Sequence, residues 1–194
     1  MTPVHEPQHG GRHMHWGWSS PDRLELMERV VGEIKPYIEG RSVVDLGSGD
    51  GGITKILASH ASTVYAVDND SMMLGALAEN CKGIPNIEPL LSKGAAIPLK
   101  DGSAGAVFAS NSFHDMPRGY EAEIHRVLEP EGFAVVFDWK KAHIYNGGPP
   151  LSIRLDQETV AKRFAALGFS KVMERDYGTH YLLVLQKSGR QTNA

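Results

Sequence analysis

A single cysteine, Cys81, stands in a chain of 194 residues. It excludes an intramolecular disulfide and any metal cage built on thiolates, and it suits a reducing, cytoplasmic setting. No apolar run approaches the roughly 20 residues that span a bilayer, and no secretory leader pattern is read. The expectation is a cytoplasmic protein without a membrane partner. Neither sign of charge dominates: 20 Lys and Arg against 23 Asp and Glu give a formal net charge of −3. With no long basic run, a nucleic-acid surface is not expected, although Lys140-Lys141 can meet a small anion. No internal repeat is present. The remaining composition, 41% hydrophobic and 22% charged, is that of an ordinary globular domain long enough to bury a substantial core.

Periodicity supplies an alternation of elements. Strands are predicted near 42–46, 63–67, 87–91, 104–110 and 132–138, with helices near 50–59, 71–80 and 117–128, which implies βαβ units and a parallel sheet. Ser20 before Pro21-Asp22 reads as an N-cap, and Leu24, Met27, Val31, Ile34 and Ile38 mark one face of an added N-terminal helix. Asp156 can cap a late helix that stops at Gly168. Two last runs, Lys171–Tyr177 and His180–Gln186, are joined by Gly178-Thr179 alone, a link that permits antiparallel pairing and no parallel crossover.

The chemistry concentrates at Val43-Val44-Asp45-Leu46-Gly47-Ser48-Gly49-Asp50-Gly51-Gly52, a β-branched strand, a glycine-dense turn and the opening of a helix. Glycines let a ligand lie against the backbone, and a helix N-terminus behind them offers free N–H groups to it. Strand, turn and helix together signal a nucleotide-type cofactor. Gly47-x-Gly49-x-x-Gly52 fits the dinucleotide fingerprint literally, with Asp68 near the position of a ribose-binding acid. Asp45 argues otherwise, because a carboxylate two residues before the first glycine repels a pyrophosphate and welcomes a cationic sulfonium. Asp68, at the end of the second strand, can accept hydrogen bonds from both ribose hydroxyls, while Asp70 or Ser71 can cap the next helix.

The run from Asp45 to Gly51 resembles motif I of class I S-adenosylmethionine-dependent methyltransferases. The resemblance continues in Ser92-Lys93-Gly94-Ala95-Ala96-Ile97-Pro98-Leu99, close to the family's Gly-Asp-Ala-x-x-Leu-Pro-Phe loop, and in Arg126-Val127-Leu128-Glu129-Pro130-Glu131-Gly132 before the fifth strand. It is nearest to the type 11, ubiquinone/menaquinone C-methyltransferase-like members. It implies an α/β fold with a Rossmann-like doubly wound sheet, mostly parallel, ending in an antiparallel β-hairpin strand. It also implies S-adenosylmethionine as cofactor, held by Asp45, Gly47, Ser48, Gly49, Asp68, Asn69, Gly94, Ala95 and Asn111. One position departs from the pattern: Lys93 replaces the acid near the adenine amino group, and an ammonium cannot accept a hydrogen bond from it.

The acceptor side is read from fewer residues. His114 and Asp115 follow the fourth strand, where the fold presents the methyl group; they are the expected catalytic pair, with His114 as base, or else they cap the helix after Pro117. Of Asp138 and Trp139, ending the fifth strand, the acid can orient an acceptor, and the indole can wall the pocket, attract a cation or simply pack under the next loop. His5, His9, His13 and His15 with Trp16 and Trp18 suggest a His-rich tail, a lid or a loose transition-metal site, and no metal is assigned. Gly147-Gly148-Pro149-Pro150 reads as a stiff connector or second wall. Residues 1–18 are thus expected as tail or lid, 19–188 as one methyltransferase domain and 189–194 as a C-terminal tail. The resulting expectation is a methyltransferase acting on a small-molecule acceptor, with oligomeric state open. The alternatives are an NAD(P)-dependent oxidoreductase and a non-catalytic module that binds the cofactor.

Overall fold

Central strands that are apolar on both faces must be covered by helices on both faces, and the computed structural model, which describes residues 21–94, 96–142 and 148–189, shows that arrangement. β1 (Ser42–Leu46), β2 (Thr63–Asp68), β3 (Ile87–Leu91), β4 (Ala104–Ser110), β5 (Leu128–Trp139), β6 (Phe169–Asp176) and β7 (His180–Lys187) form one sheet in the order β3-β2-β1-β4-β5-β7-β6. The first five pair in parallel, whereas β7 runs antiparallel to both β5 and β6. α1 (Pro21–Ile38), α2 (Gly52–Ala58) and α3 (Ser71–Asn80) cover one face, packing Ile34, Leu57 and Leu77 onto Val64, Ala66, Phe108 and Val135. α4 (Tyr120–Val127) and α5 (Gln157–Ala165) cover the other, where Ile124 and Phe164 meet Val107, Val136 and Leu183. Among the described residues no helix is long and apolar enough to cross a membrane.

The hydrophobic face expected of α1 is the buried one, with Met27, Val31, Ile34 and Ile38 all in the core and Leu24 at its rim. Asp156 caps α5 by accepting from Thr159 N at 2.8 Å, and Asp70 caps α3 through Met72 N, also at 2.8 Å. The two-residue link at Gly178-Thr179 does join an antiparallel pair. Boundaries differ where glycine forces a left-handed residue just ahead of a helix. α2 begins at Gly52 behind Gly51 (φ 86°), and the helix expected from 117 begins only at Tyr120, behind Gly119 (φ 91°). β5 starts at Leu128, earlier than the expected 132, because Leu128 pairs with Ala104 before a register shift. Ser20, the histidines and tryptophans of residues 1–18, Ala95, Gly147 and residues 190–194 lie outside the described residues.

Candidate active site

The order of the sheet reverses direction between β1 and β4: the chain builds β2 and β3 to one side of β1, then β4 and β5 to the other. A crevice opens at such a switch point, outside the carboxyl ends of the strands. The glycine turn after β1 forms one wall of it. There Gly49 (φ 54°) is the position at which an added Cβ would meet nothing within 4 Å, so its backbone is open to a ligand. Gly47 and Gly51 have different tasks. A Cβ on Gly47 (φ 77°) would stand 2.6 Å from Ser112 Cβ, and one on Gly51 would stand 2.7 Å from Cys81 Sγ. At Gly47 the missing side chain admits the loop after β4.

Asp68 ends β2 and is half-buried. Its Oδ2 accepts from Gly49 N at 2.8 Å and its Oδ1 from Asp70 N at 2.9 Å, so one carboxylate both shapes the glycine turn and keeps lone pairs for a diol. Asn69 beside it is exposed, as are Lys93 and Gly94 on the tight turn that brings Lys93 opposite Ala96. That turn is anchored by Ser92, whose N–H donates to Asp68 O at 2.8 Å. The segment after it is held by Arg126, which donates to the carbonyls of Leu99 at 2.8 Å and Ile97 at 2.9 Å while pairing with Asp101 and Glu123.

Asp45 does not face the crevice as a fixed charge. It is 2% exposed, and its Oδ2 accepts from Thr54 Oγ1 on α2 at 2.6 Å. Burial pushes its carboxyl up to about 7, with Thr54 opposing the shift and the charge of Asp68 adding to it. A carboxyl held near neutrality gains its charge most readily when a cation lies above it.

On the far wall, Asn111 follows β4 in a left-handed conformation (φ 51°), its N–H donating to Phe137 O at 2.8 Å. Ser112 Oγ donates to Leu46 O at 2.8 Å, tying this loop to β1. His114 sits in the 3₁₀ turn Phe113–Asp115 with its side chain 5% exposed. Its partner is chiefly Asp138 on β5: His114 N donates to Asp138 Oδ2 at 3.0 Å, and Nδ1 lies 2.8 Å from Oδ1. Asp115 is 60% exposed and stands 3.3 Å from Nε2. The expected pair of His114 and Asp115 is thus present, and the structure adds to it a buried partner that was not expected, Asp138. Burial alone would lower the imidazole pKa, but the hydrogen bond and charge of Asp138, aided by Asp115, win and raise it. Trp139 packs against Gly148, where an added Cβ would stand 2.8 Å from the indole, and under the Arg154 guanidinium at 5.2 Å from its ring centroid. Trp139 thus both packs against the following segment at Gly148 and carries a cation over its ring, as two of the expectations for it had it.

Three polar atoms that are buried and lack a hydrogen-bond partner among the described residues gather at this edge of the sheet: Ser48 Oγ, Asn111 Oδ1 and His180 Nε2. The first two follow β1 and β4, the neighbouring strands on either side of the switch point, and they are groups that a bound polar ligand would satisfy. Sequence reasoning missed Thr54, His180 and Arg154. It had an acid at the tip of β5 as its only pointer to the role of Asp138.

A family model described as a methyltransferase domain, type 11, matches residues 44–136. Over that stretch, a little under half of its length, the chain is similar to the type 11 methyltransferases. An uncharacterized methyltransferase of Schizosaccharomyces pombe is 35% identical over 96 residues, covering 48% of this chain and 37% of the relative. An uncharacterized methyltransferase of Synechocystis is 25% identical over 79% of this chain and 78% of its own length. Among solved structures, a SAM-dependent methyltransferase from Aquifex aeolicus superposes with a TM-score of 0.78 at 27% identity, covering 86% of this chain and 93% of that one. The chain spans about two fifths or less of the length of several curated relatives that it matches. The cofactor of the methyltransferases it resembles is S-adenosylmethionine, and the crevice described here fits that group: an open Gly49, a carboxylate at the tip of β2 and two buried polar atoms, Ser48 Oγ after β1 and Asn111 Oδ1 after β4, without a partner among the described residues. β7, lying between β5 and β6, is a strand that the dinucleotide alternative does not require.

Proposed function

We propose that this chain transfers the methyl group of S-adenosylmethionine to a small-molecule acceptor in the cytoplasm. The observation that carries the reading is the space over Gly49, framed by Asp68 on one side and by Ser48 Oγ and Asn111 Oδ1 on the other. Asp68 would hold the ribose, Asn69 and Gly94 would flank the adenine, and Ser48 and Asn111 would meet the methionine end. With Lys93 in the acid's place, the adenine amino group would be left to backbone carbonyls. Bound S-adenosylmethionine supplies an electrophilic methyl on a sulfonium with a thioether as leaving group. The protein's part is then to align the acceptor and to exclude water. His114, with its Nδ1 side fixed by Asp138, would take the proton of a nucleophile that arrives protonated, and Asp138 would stabilise the resulting imidazolium. Asp115, at the outer edge, would help to hold that cation.

Calorimetric titration with S-adenosylhomocysteine and, separately, NADH tests the cofactor. Saturable binding of the former alone is expected, and binding of NADH alone would reverse the assignment. Incubation with methyl-labelled S-adenosylmethionine and a metabolite extract tests turnover. A labelled small molecule supports an enzyme, whereas cofactor binding without any labelled product would favour a non-catalytic binding module.

A further inference from the structure

β7 enters the sheet at its carboxyl edge, because Trp139 at the tip of β5 pairs with His180 at the start of β7. The registers also assign faces. Ser110, ending β4, is level with Phe137, and Phe137 with Leu182, so these three share the face that α1 covers, and His180, two residues before Leu182, shares it too. Two neutral polar groups therefore lie at this edge, on either side of Phe137. Ser110 is 3% exposed, and its hydroxyl has the Met27 thioether 4.0 Å away, a weak acceptor. His180 is 6% exposed; its ring stacks on Phe137 (4.8 Å between centroids, 4° between planes) and lies 4.1 Å from the Trp139 ring. Thr179 Oγ1 holds Nδ1 at 2.7 Å, while Nε2 is buried without a partner among the described residues. A ring fixed in this way, with one nitrogen unsatisfied, is costly unless a ligand completes it.

The chemistry of that ligand follows from the group that would meet it. Burial lowers the imidazole to about 4, with Asp138 opposing and Arg23 and Arg154 adding to the fall, so the ring is neutral at physiological pH. Acids stand among those guanidinium groups, Asp50 acting on Arg23 and Asp138 on His180, so neither sign of charge is selected. A charged ligand would have to shed its water for the one hydrogen bond that a neutral imidazole offers, and a hydroxyl sheds its water at far smaller cost. A hydroxyl also both donates and accepts, so it completes Nε2 in either tautomer, whichever way the Thr179 hydroxyl turns. Phe137, Trp139 and Met27 make the rest of the surroundings apolar.

Resting on the methyltransferase reading, we propose that the methyl acceptor is an uncharged, hydroxyl-bearing molecule with an apolar body, and that His180 Nε2 is the group that holds its hydroxyl. The experiment uses the full chain saturated with S-adenosylhomocysteine, ¹⁵N-labelled at histidine, with benzyl alcohol, toluene, benzoate and benzylamine as probes of similar shape. Benzyl alcohol is expected to bind saturably and to shift the His180 Nε2 resonance, and each of the other three to bind at least tenfold more weakly. His180→Phe, which keeps a stacked ring and removes its nitrogens, should weaken benzyl alcohol at least tenfold with S-adenosylhomocysteine affinity unchanged. His180→Gln, which keeps a donor and an acceptor, should recover part of the loss. No binding of benzyl alcohol, binding of any other probe as tight as its own, or an affinity for it indifferent to His180→Phe would each overturn the proposal. Should His180→Phe fail to fold, the ranking of the four probes on the unaltered chain and the Nε2 shift still decide. Failure of S-adenosylhomocysteine to bind the unaltered chain would instead strike the cofactor reading, so the two are told apart.

Discussion

Asp45 is pulled two ways. With its folded pKa near 7, the folded chain keeps a proton that the unfolded chain loses near 4, so stability is full below that window and falls as pH rises through it. Asp45→Asn is therefore expected to stabilise the cofactor-free protein by about 2–4 kcal/mol at pH 8 and hardly at all at pH 4, as read from denaturation midpoints. The same substitution should weaken S-adenosylmethionine more than S-adenosylhomocysteine, because only the former brings a cation that favours the ionised carboxylate. In the unaltered protein, S-adenosylmethionine should bind more tightly at pH 8 than at pH 6, releasing a proton measurable by calorimetry in two buffers. For His114 the raised pKa gives the opposite demand: as a base it must first shed a proton, so the rate with a protonated acceptor should climb at a pH above the ordinary imidazole range. His114→Gln should lower kcat about 10²- to 10⁴-fold while S-adenosylhomocysteine still binds. An unaffected rate would make the imidazole a scaffold only. Asp68 and Asn111 were legible in the sequence because each directly follows or ends a strand. Thr54, the Asp138 partner of His114 and His180 were not, since they depend on registers between segments far apart in the chain; His114 and Asp138 are 24 positions apart.

The glycine turn shows how residues of one type divide their labour within an element. Gly47→Ala adds a Cβ 2.6 Å from Ser112 Cβ in a left-handed backbone and should destabilise the fold by about 2–4 kcal/mol. In a thermal melt that corresponds to a drop of roughly 4–16 °C. Gly49→Ala meets open space, so only the backbone term of about 1–2 kcal/mol remains. Its main effect should be lost cofactor binding, measured by titration. Equal melting temperatures for the two variants would refute this division. Nothing in the spelling Gly-x-Gly-x-Gly distinguishes these tasks, because the sequence shows that side chains are missing and not what occupies the space. The caps Asp70 and Asp156 were readable, by contrast, since an N-cap acts within three residues of itself. Helix starts were misread at Gly51 and Gly119, where a left-handed residue delays the first helical turn.

At the scale of the molecule, the alternation of strands and helices announced a covered parallel sheet, and the two-residue link announced the hairpin. That β7 lies inside the sheet rather than at its rim came only with the family resemblance, because link length says which strands pair and not what flanks them. The position has a measurable weight. Leu183 on β7 is fully buried and Val172 on β6 is 44% exposed. Leu183→Ala is expected to cost about 2–5 kcal/mol, and Val172→Thr about 0.5 kcal/mol or less, in chemical denaturation. The order of the strands also bears on how the protein is made. β5 and β6 leave the ribosome before the strand that separates them, so a nascent chain carries the bare apolar flank of β5 until β7 arrives. Translation stalled within β6 would thus produce a species suited to pairing with its neighbours on a polysome, and the last strand in the sheet is the one that ends that hazard.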